Sequence, residues 1–357
     1  VNSGEGGAPR SLLVVRLGAM GDVIHALPAV AALRAALPGT KIGWVIEERW
    51  AELLCAHGKA RAGPPSSSKP LVDMVHALDT KRWRKSLLSS QTWGHIFGAR
   101  AEIRGEGYEV AADFQGAIKS AMVASLSRAN VAGMRGPREA PAKLFYDRLI
   151  RTRGGHVIEQ NVSLAEAVAH KALRPGRAIF PADEVAEWGI AEKISAVGEP
   201  FILIAPGAGW GAKQWPAERY GQVAKRLASK GYRSLINFAP SEVRLADAVA
   251  AASGGTSVKI STGIGELIAL TRRAKLFIGG DTGPMHLAAA LGVPVVALFG
   301  PTDPARNGPY GTINVVLRNA ASQTSFSHVN AADPGLVQIT VEEVVSAAMQ
   351  LLEHSNV

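Results

Sequence analysis

Apolar positions come in short β-branched runs that alternate with stretches of helical spacing. Ser11 to Leu17 is such a run, Gly18 to Asp22 a tight turn, and Val23 to Leu37 an apolar-rich helical stretch ended by Pro38-Gly39. That pattern predicts strand, glycine loop and helix. Lys41 to Ile46 and Glu109 to Phe114 read as two more buried strands, each followed by helix-like sequence. After Pro200 the pattern restarts, with strands predicted at Phe201 to Ala205, Tyr232 to Phe238, Leu276 to Ile278 and Val293 to Phe299, and a helix over Ala217 to Lys230. Alternation of this kind predicts an α/β protein with parallel sheets. The stretch Arg174 to Glu199, holding Pro175-Gly176, Pro181 and Gly198-Glu199-Pro200, is the expected boundary. The expected parts are a flexible leader over residues 1–10, a first domain over 11–185, a second over 186–340 and a terminal amphipathic helix within 341–357. The segment His57 to Ser90 reads as mostly loop, with Pro64 to Ser68 flexible in the absence of ligand.

Length agrees with two domains: the chain has 357 residues, and a domain takes roughly 150. At 47% hydrophobic and 19% charged residues the chain is globular. Thirty-nine Lys and Arg against 30 Asp and Glu leave a net charge of +9, which favours anionic partners such as a nucleic acid, a phospholipid surface or a phosphorylated small molecule. Nucleic acid ranks low, because aromatics are only 6% and no zinc-finger, RRM or clear helix-turn-helix signature is present. The single cysteine, Cys55, excludes intrachain disulfides and thiolate zinc clusters. No secretion signal is visible, and the charge-free stretch Thr282 to Thr302 is broken by Pro284, Gly292, Pro294 and Pro301 into helix, buried strand and turn. The sequences H-E-x-x-H, G-x-S-x-G and D-x-D are absent.

Open parallel sheets bind ligands at the carboxyl ends of their strands, which singles out the loops Gly18 to Asp22, Pro206 to Lys213 and Gly279 to His286. Asp22 opens a helix after a glycine turn, where it serves either as a general base or as a helix cap. His25, one turn on, reads as its structural neighbour. The segment Asp281-Thr282-Gly283-Pro284-Met285-His286 leads into a helix whose N-terminus suits phosphate, and capping by Asp281 or Thr282 fits the same residues. Lys213 lies in a glycine-rich loop that matches neither the dinucleotide nor the P-loop spacing. Lys81-Arg82-Trp83-Arg84-Lys85 places four cations in five residues, and Asp113 to Ser120, with Gln115 and Lys119, precedes Arg135, Arg138 and Lys143. Either a solvated face or a site for an anionic acceptor is compatible with these runs.

Taken together, these loops resemble the bacterial heptosyltransferases, family 9 glycosyltransferases, over most of Ser11 to Gly311. The resemblance rests on Met20 to Pro28, Trp44 to Glu48, Arg82 to Lys85, Asp113 to Ser120, Lys213 to Pro216 and Asp281 to Pro304. It implies a GT-B fold of two Rossmann-like domains facing across a cleft, and a terminal helix that packs back on the first domain. The implied reaction moves L-glycero-D-manno-heptose from ADP-heptose to the first Kdo of lipopolysaccharide inner core, with inversion and with neither metal nor cofactor. Asp22 would be the base, and Lys213 would stabilise the departing diphosphate. Glu242, Asp281, Thr282, Gly283 and His286 would bind the donor, and Lys81, Arg84, Lys85, Gln115, Lys119 and Arg138 the Kdo-lipid A acceptor. The small residues of Gly207 to Gly211, and Thr262 near the expected adenine, depart from the family pattern. A family 9 relative whose acceptor is a core heptose, and a non-catalytic nucleotide-sugar-binding protein, are the competing expectations. The implied location is cytoplasmic, at the anionic inner face of the inner membrane.

Overall fold

The computed structural model describes residues 7–86, 88–325 and 331–354, without the side chain of Arg84. Two units divide the chain, residues 1–182 and 183–357. The first contains β1 (Ser11–Val15), α1 (Met20–Ala36), β2 (Lys41–Glu47), β3 (Met74–Leu78), α2 (Thr80–Lys85), α3 (Ser90–Gly105), β4 (Val110–Asp113), α4 (Ile118–Leu126), β5 (Asn130–Met134), β6 (Arg148–Ile150) and α5 (Val157–Ala169). Its six described strands form one parallel sheet in the order β3-β2-β1-β4-β5-β6. All five residues of β1 are buried, as a strand with both faces covered requires. The order runs outward from β1 in both directions, so the β1/β4 boundary is the point where connections diverge.

The second unit repeats this design with α6 (Glu184–Ile194), β7 (Phe201–Ala205), α7 (Ala217–Ala228), β8 (Arg233–Phe238), α8 (Val243–Ala252), β9 (Ser257–Ser261), α9 (Ile264–Arg273), β10 (Ala274–Gly280), α10 (Gly283–Ala290), β11 (Val295–Phe299), α11 (Pro304–Asn307), β12 (Asn314–Arg318), α12 (Pro334–Gln338) and α13 (Val341–His354). Its order is β12-β11-β10-β7-β8-β9, all parallel, and the divergence lies between β7 and β10. Fully buried Trp215 donates its indole N–H to the Ile339 carbonyl at 3.1 Å and ties the start of α7 to the segment before α13.

Several expectations change. The terminal helix does not keep its apolar stripe for the first unit: Val341, Val344, Val345, Ala348, Leu351 and Leu352 of α13 are buried in the core of the second, with α7 and the sheet. Of the expected leader, residues 1–6 lie outside the described residues, whereas Pro9 is buried, its carbonyl accepting from Thr40 Oγ1 at 2.6 Å, and the Arg10 backbone N–H donates to Glu109 at 2.7 Å. The 57–90 segment holds β3, α2 and the start of α3 rather than loop alone. Flanking Pro64 to Ser68, the Lys69 ammonium, 2% exposed, donates to the carbonyls of Gly63, Val72 and Asp73 at 2.7, 2.7 and 3.0 Å, and burial pulls its pKa down. Among the described residues no helix is long and apolar enough to cross a membrane.

Candidate active site

In the first unit the site forms around the β1/β4 divergence. Asp22 stands in the first turn of α1, three residues after Ala19, and its Oδ2 accepts the Ala19 N–H at 3.2 Å. It is therefore not the N-cap residue itself. Its Oδ1 meets Arg16 at 2.9 Å, and the two side chains differ sharply in exposure: 7% for the guanidinium and 35% for the carboxylate. Arg16 also donates to the Phe114 carbonyl at the end of β4, so strand ends on both sides of the divergence hold it. The sequence reading missed Arg16. A cation ending an apolar run is the signal that could have found it, because a buried charge demands a partner. His25 is buried edge-on against His156, 5.6 Å between ring centroids.

Gln115 follows β4, and its side-chain oxygen accepts the Leu17 N–H at 2.9 Å, joining the two loops. Beneath it lies Asp113, fully buried, accepting from Tyr146 Oη at 2.7 Å, Ser120 Oγ at 2.9 Å and the Gln115 N–H at 2.8 Å. Burial pushes the Asp113 carboxyl above its ordinary range despite those bonds. Lys119, at the N-terminus of α4, donates to Glu47 at 2.8 Å and Thr80 at 2.8 Å. Glu47, the last residue of β2, and Thr80, the first of α2, are both buried. This compensation of Lys119 was not foreseen. Gly116, at φ +68°, leaves no room for a side chain beside the backbone of Pro137 and Arg138, which places exposed Arg138 next to the Gln115 loop. Lys81 and Lys85 are exposed on α2; the Arg84 side chain lies outside the described residues.

In the second unit Lys213 follows β7 and Asp281 follows β10, again across the divergence. Lys213 Nζ sits 2.5 Å from Asp281 Oδ2 and 3.3 Å from its carbonyl, and 5.2 Å from the centre of the Trp210 ring. His286, one turn into α10, lies 3.0 Å from the other carboxylate oxygen. Burial opposes ionisation of Asp281, but the hydrogen bond and charge of His286 and the charge of Lys213 outweigh it and hold the carboxyl well below the usual carboxylate range. Asp281 thus spends both oxygens on the side chains, and Thr282 turns its hydroxyl to the Gly280 carbonyl at 3.3 Å, so neither supplies the expected side-chain cap. Gly283 begins α10 with its backbone at the site. Glu242 accepts the Ala239 N–H at 2.9 Å, and its carboxylate lies against Gly207. Thr262 accepts from Asn237 Nδ2 at 2.7 Å. Among the described residues no three His, Cys, Asp or Glu side chains gather as a metal site.

Comparison with known proteins now bears on this geometry. The profile of glycosyltransferase family 9 (heptosyltransferase) matches residues 97–334, a span holding Gln115, Lys119, Lys213, Asp281 and His286. The chain belongs to that family. It is 30% identical over 316 residues to lipopolysaccharide heptosyltransferase 1 of Pseudomonas aeruginosa, covering 86% of this chain and 83% of the relative. In structure it is similar to the Escherichia coli heptosyltransferase WaaC with ADP, at a TM-score of 0.74 and 26% identity, covering 97% of this chain and 99% of that one. The same enzyme with ADP-2-deoxy-2-fluoro heptose gives a TM-score of 0.74 and 26% identity over 95% and 99% of the two chains. The two parallel six-stranded sheets of this family 9 glycosyltransferase are those of the GT-B heptosyltransferases.

Proposed function

We propose that this family 9 glycosyltransferase is a heptosyltransferase 1, transferring L-glycero-D-manno-heptose from ADP-heptose to the first Kdo of lipopolysaccharide inner core, with inversion and without a metal ion. The observation that carries the reading is the polarity of the Arg16–Asp22 pair: the cation is buried and the carboxylate is left open at the sheet's divergence. Such a carboxylate is oriented yet accessible, as a general base must be. Asp22 takes the proton from the acceptor hydroxyl as its oxygen forms a bond to the anomeric carbon. The bond to the diphosphate breaks on the opposite face, and ADP departs with the electron pair. Lys213 has three N–H donors, and with two engaged on Asp281 a third is available for a diphosphate oxygen. Preorganised donors of that kind stabilise charge developing on the leaving group. Glu242, Asp281 and His286 serve the donor, and Lys81, Arg84, Lys85, Gln115, Lys119 and Arg138 the anionic acceptor, on the cytoplasmic side of the inner membrane.

The test is transfer from ADP-heptose to Kdo-bearing lipid A followed by mass spectrometry in the presence of EDTA, with Asp22→Asn as control. A product one heptose heavier, lost in a folded Asp22→Asn protein, supports the reading. Product only with an acceptor that already carries heptose assigns the heptosyltransferase II reaction instead. Donor binding without any product returns the chain to a binding protein.

A further inference from the structure

Helix α3 carries two stripes. Thr92, Ile96, Ala99 and Ile103, spaced i, i+4, i+7 and i+11, face inward: Thr92 and Ile103 are buried, and Ala99 packs on the core of the first unit. Trp93, Phe97 and Arg100 run along the neighbouring stripe, where the two aromatic side chains are 47% and 56% exposed with their ring centroids 5.9 Å apart. Leu88, just before α3, is fully exposed. Three large apolar side chains left this exposed close together in sequence leave apolar surface that the core does not use, and clustered exposed apolar surface marks interaction sites. The charge around them has one sign. Residues 80–105 contain six Lys or Arg and one acidic residue, Glu102, whose carboxylate is turned to His76 at 2.6 Å. Lys81, Arg82 and Lys85 are exposed on α2.

We propose that α2 and the first two turns of α3 dock the protein on an anionic lipid bilayer. Leu88, Trp93 and Phe97 enter the boundary between headgroups and acyl chains, and Arg82, beside the acceptor cations Lys81 and Lys85, meets the lipid phosphates. The chemistry selects this partner over an apolar protein groove: aromatic rings that suit the membrane interface are bordered by cations, the arrangement of an amphipathic surface element that recognises anionic lipid. The purpose of docking rests on the lipid-borne acceptor proposed above, whereas its geometry does not. Membrane association thereby acquires a location in the chain.

Co-sedimentation of the full chain with vesicles tests this without donor or acceptor. The wild-type protein is expected to pellet with vesicles containing phosphatidylglycerol and to stay in solution with pure phosphatidylcholine. Trp93→Ser/Phe97→Ser should lower partitioning to the anionic vesicles on the order of tenfold or more, keep the wild-type thermal midpoint, and keep wild-type transfer to an acyl-chain-free Kdo acceptor. Leu88→Ser, outside the helix, should weaken partitioning without any dependence on the stability of α3. Equal pelleting of wild type and both variants, equal pelleting on phosphatidylcholine, or no pelleting at all would overturn the docking surface. Absence of transfer by the wild-type enzyme would overturn the heptosyltransferase reading and leave the vesicle result standing.

Discussion

Replacing Lys213 with Met leaves Asp281 buried with His286 as its remaining side-chain partner. Both members of the pair are well shielded, at 15% and 6% side-chain exposure, so solvent screens their attraction little. Removing one partner of such a pair costs about 3–5 kcal/mol, and with His286 still within reach the lower end, about 3 kcal/mol, is expected. For a unit spanning residues 183–357, each kcal/mol moves the midpoint by about 2–4 °C, so Lys213→Met should lower it by about 6–12 °C at pH 7. The second arm removes the stranded charge as well. Lys213→Met/Asp281→Asn should recover most of that loss, because two neutral side chains no longer bury an uncompensated carboxylate. Thermal unfolding followed by circular dichroism reads both numbers, and transfer activity should stay absent in the stable double variant. A Lys213→Met protein with the wild-type midpoint, or a double variant no more stable than the single one, would refute the reasoning that the pair is a coupled, buried unit.

Other consequences can be checked in the same protein. The Asp281 carboxyl is depressed in the folded state, so its stabilisation is fully present above its unfolded pKa of about 3.9 and is lost as pH falls through the lower folded value. The difference in midpoint between wild type and the double variant should therefore shrink as pH falls below about 3.9. Arg16→Met should lower turnover by about 10²-fold through misplacement of Asp22, with the KM for donor unchanged; a changed KM alone would place Arg16 in donor binding. Tyr146→Phe removes a donor from fully buried Asp113 and should cost about 1–3 kcal/mol in chemical denaturation. Calorimetric titration of ADP should show weaker binding by Lys213→Met and unchanged binding by Asp22→Asn.

What the sequence disclosed follows burial closely. The inner strands β1, β2, β4, β7, β8, β10 and β11 were read from apolar runs, since strands covered on both faces need apolar residues throughout. The edge strands β3, β6, β9 and β12, together with β5 beside an edge, were missed. Ser257–Ser261 shows why: Ser, Lys and Ser alternate around Val258 and Ile260, and only Ile260 is buried. Helix α2 spans only six residues, too few to show a helical period, and α3 carries Gly94 and Gly98, which lower helix propensity. Site residues in loops after inner strands were legible for the same reason that the strands were. The partners of Lys119 were not, because Glu47 and Thr80 reach it through strand order, and no spacing along the chain encodes which strand ends become neighbours.

The two ion pairs at the divergence points have opposite polarity, and this separates the chemistry of the two halves. In the first unit the cation is sunk beneath the sheet end and the carboxylate is offered to solvent, which suits accepting a proton and would repel a diphosphate. In the second the carboxylate is the more deeply buried member, bonded on both oxygens, and the cation above it retains a donor for an anion. A neutral pair thus presents negative charge in one place and positive charge in the other, because burial decides which partner the ligand meets. Neither sheet needs an isolated buried charge to do so. The same fold repeated twice thus carries two ion pairs of opposite polarity, and the difference lies in the order of burial within each pair rather than in the residue types alone.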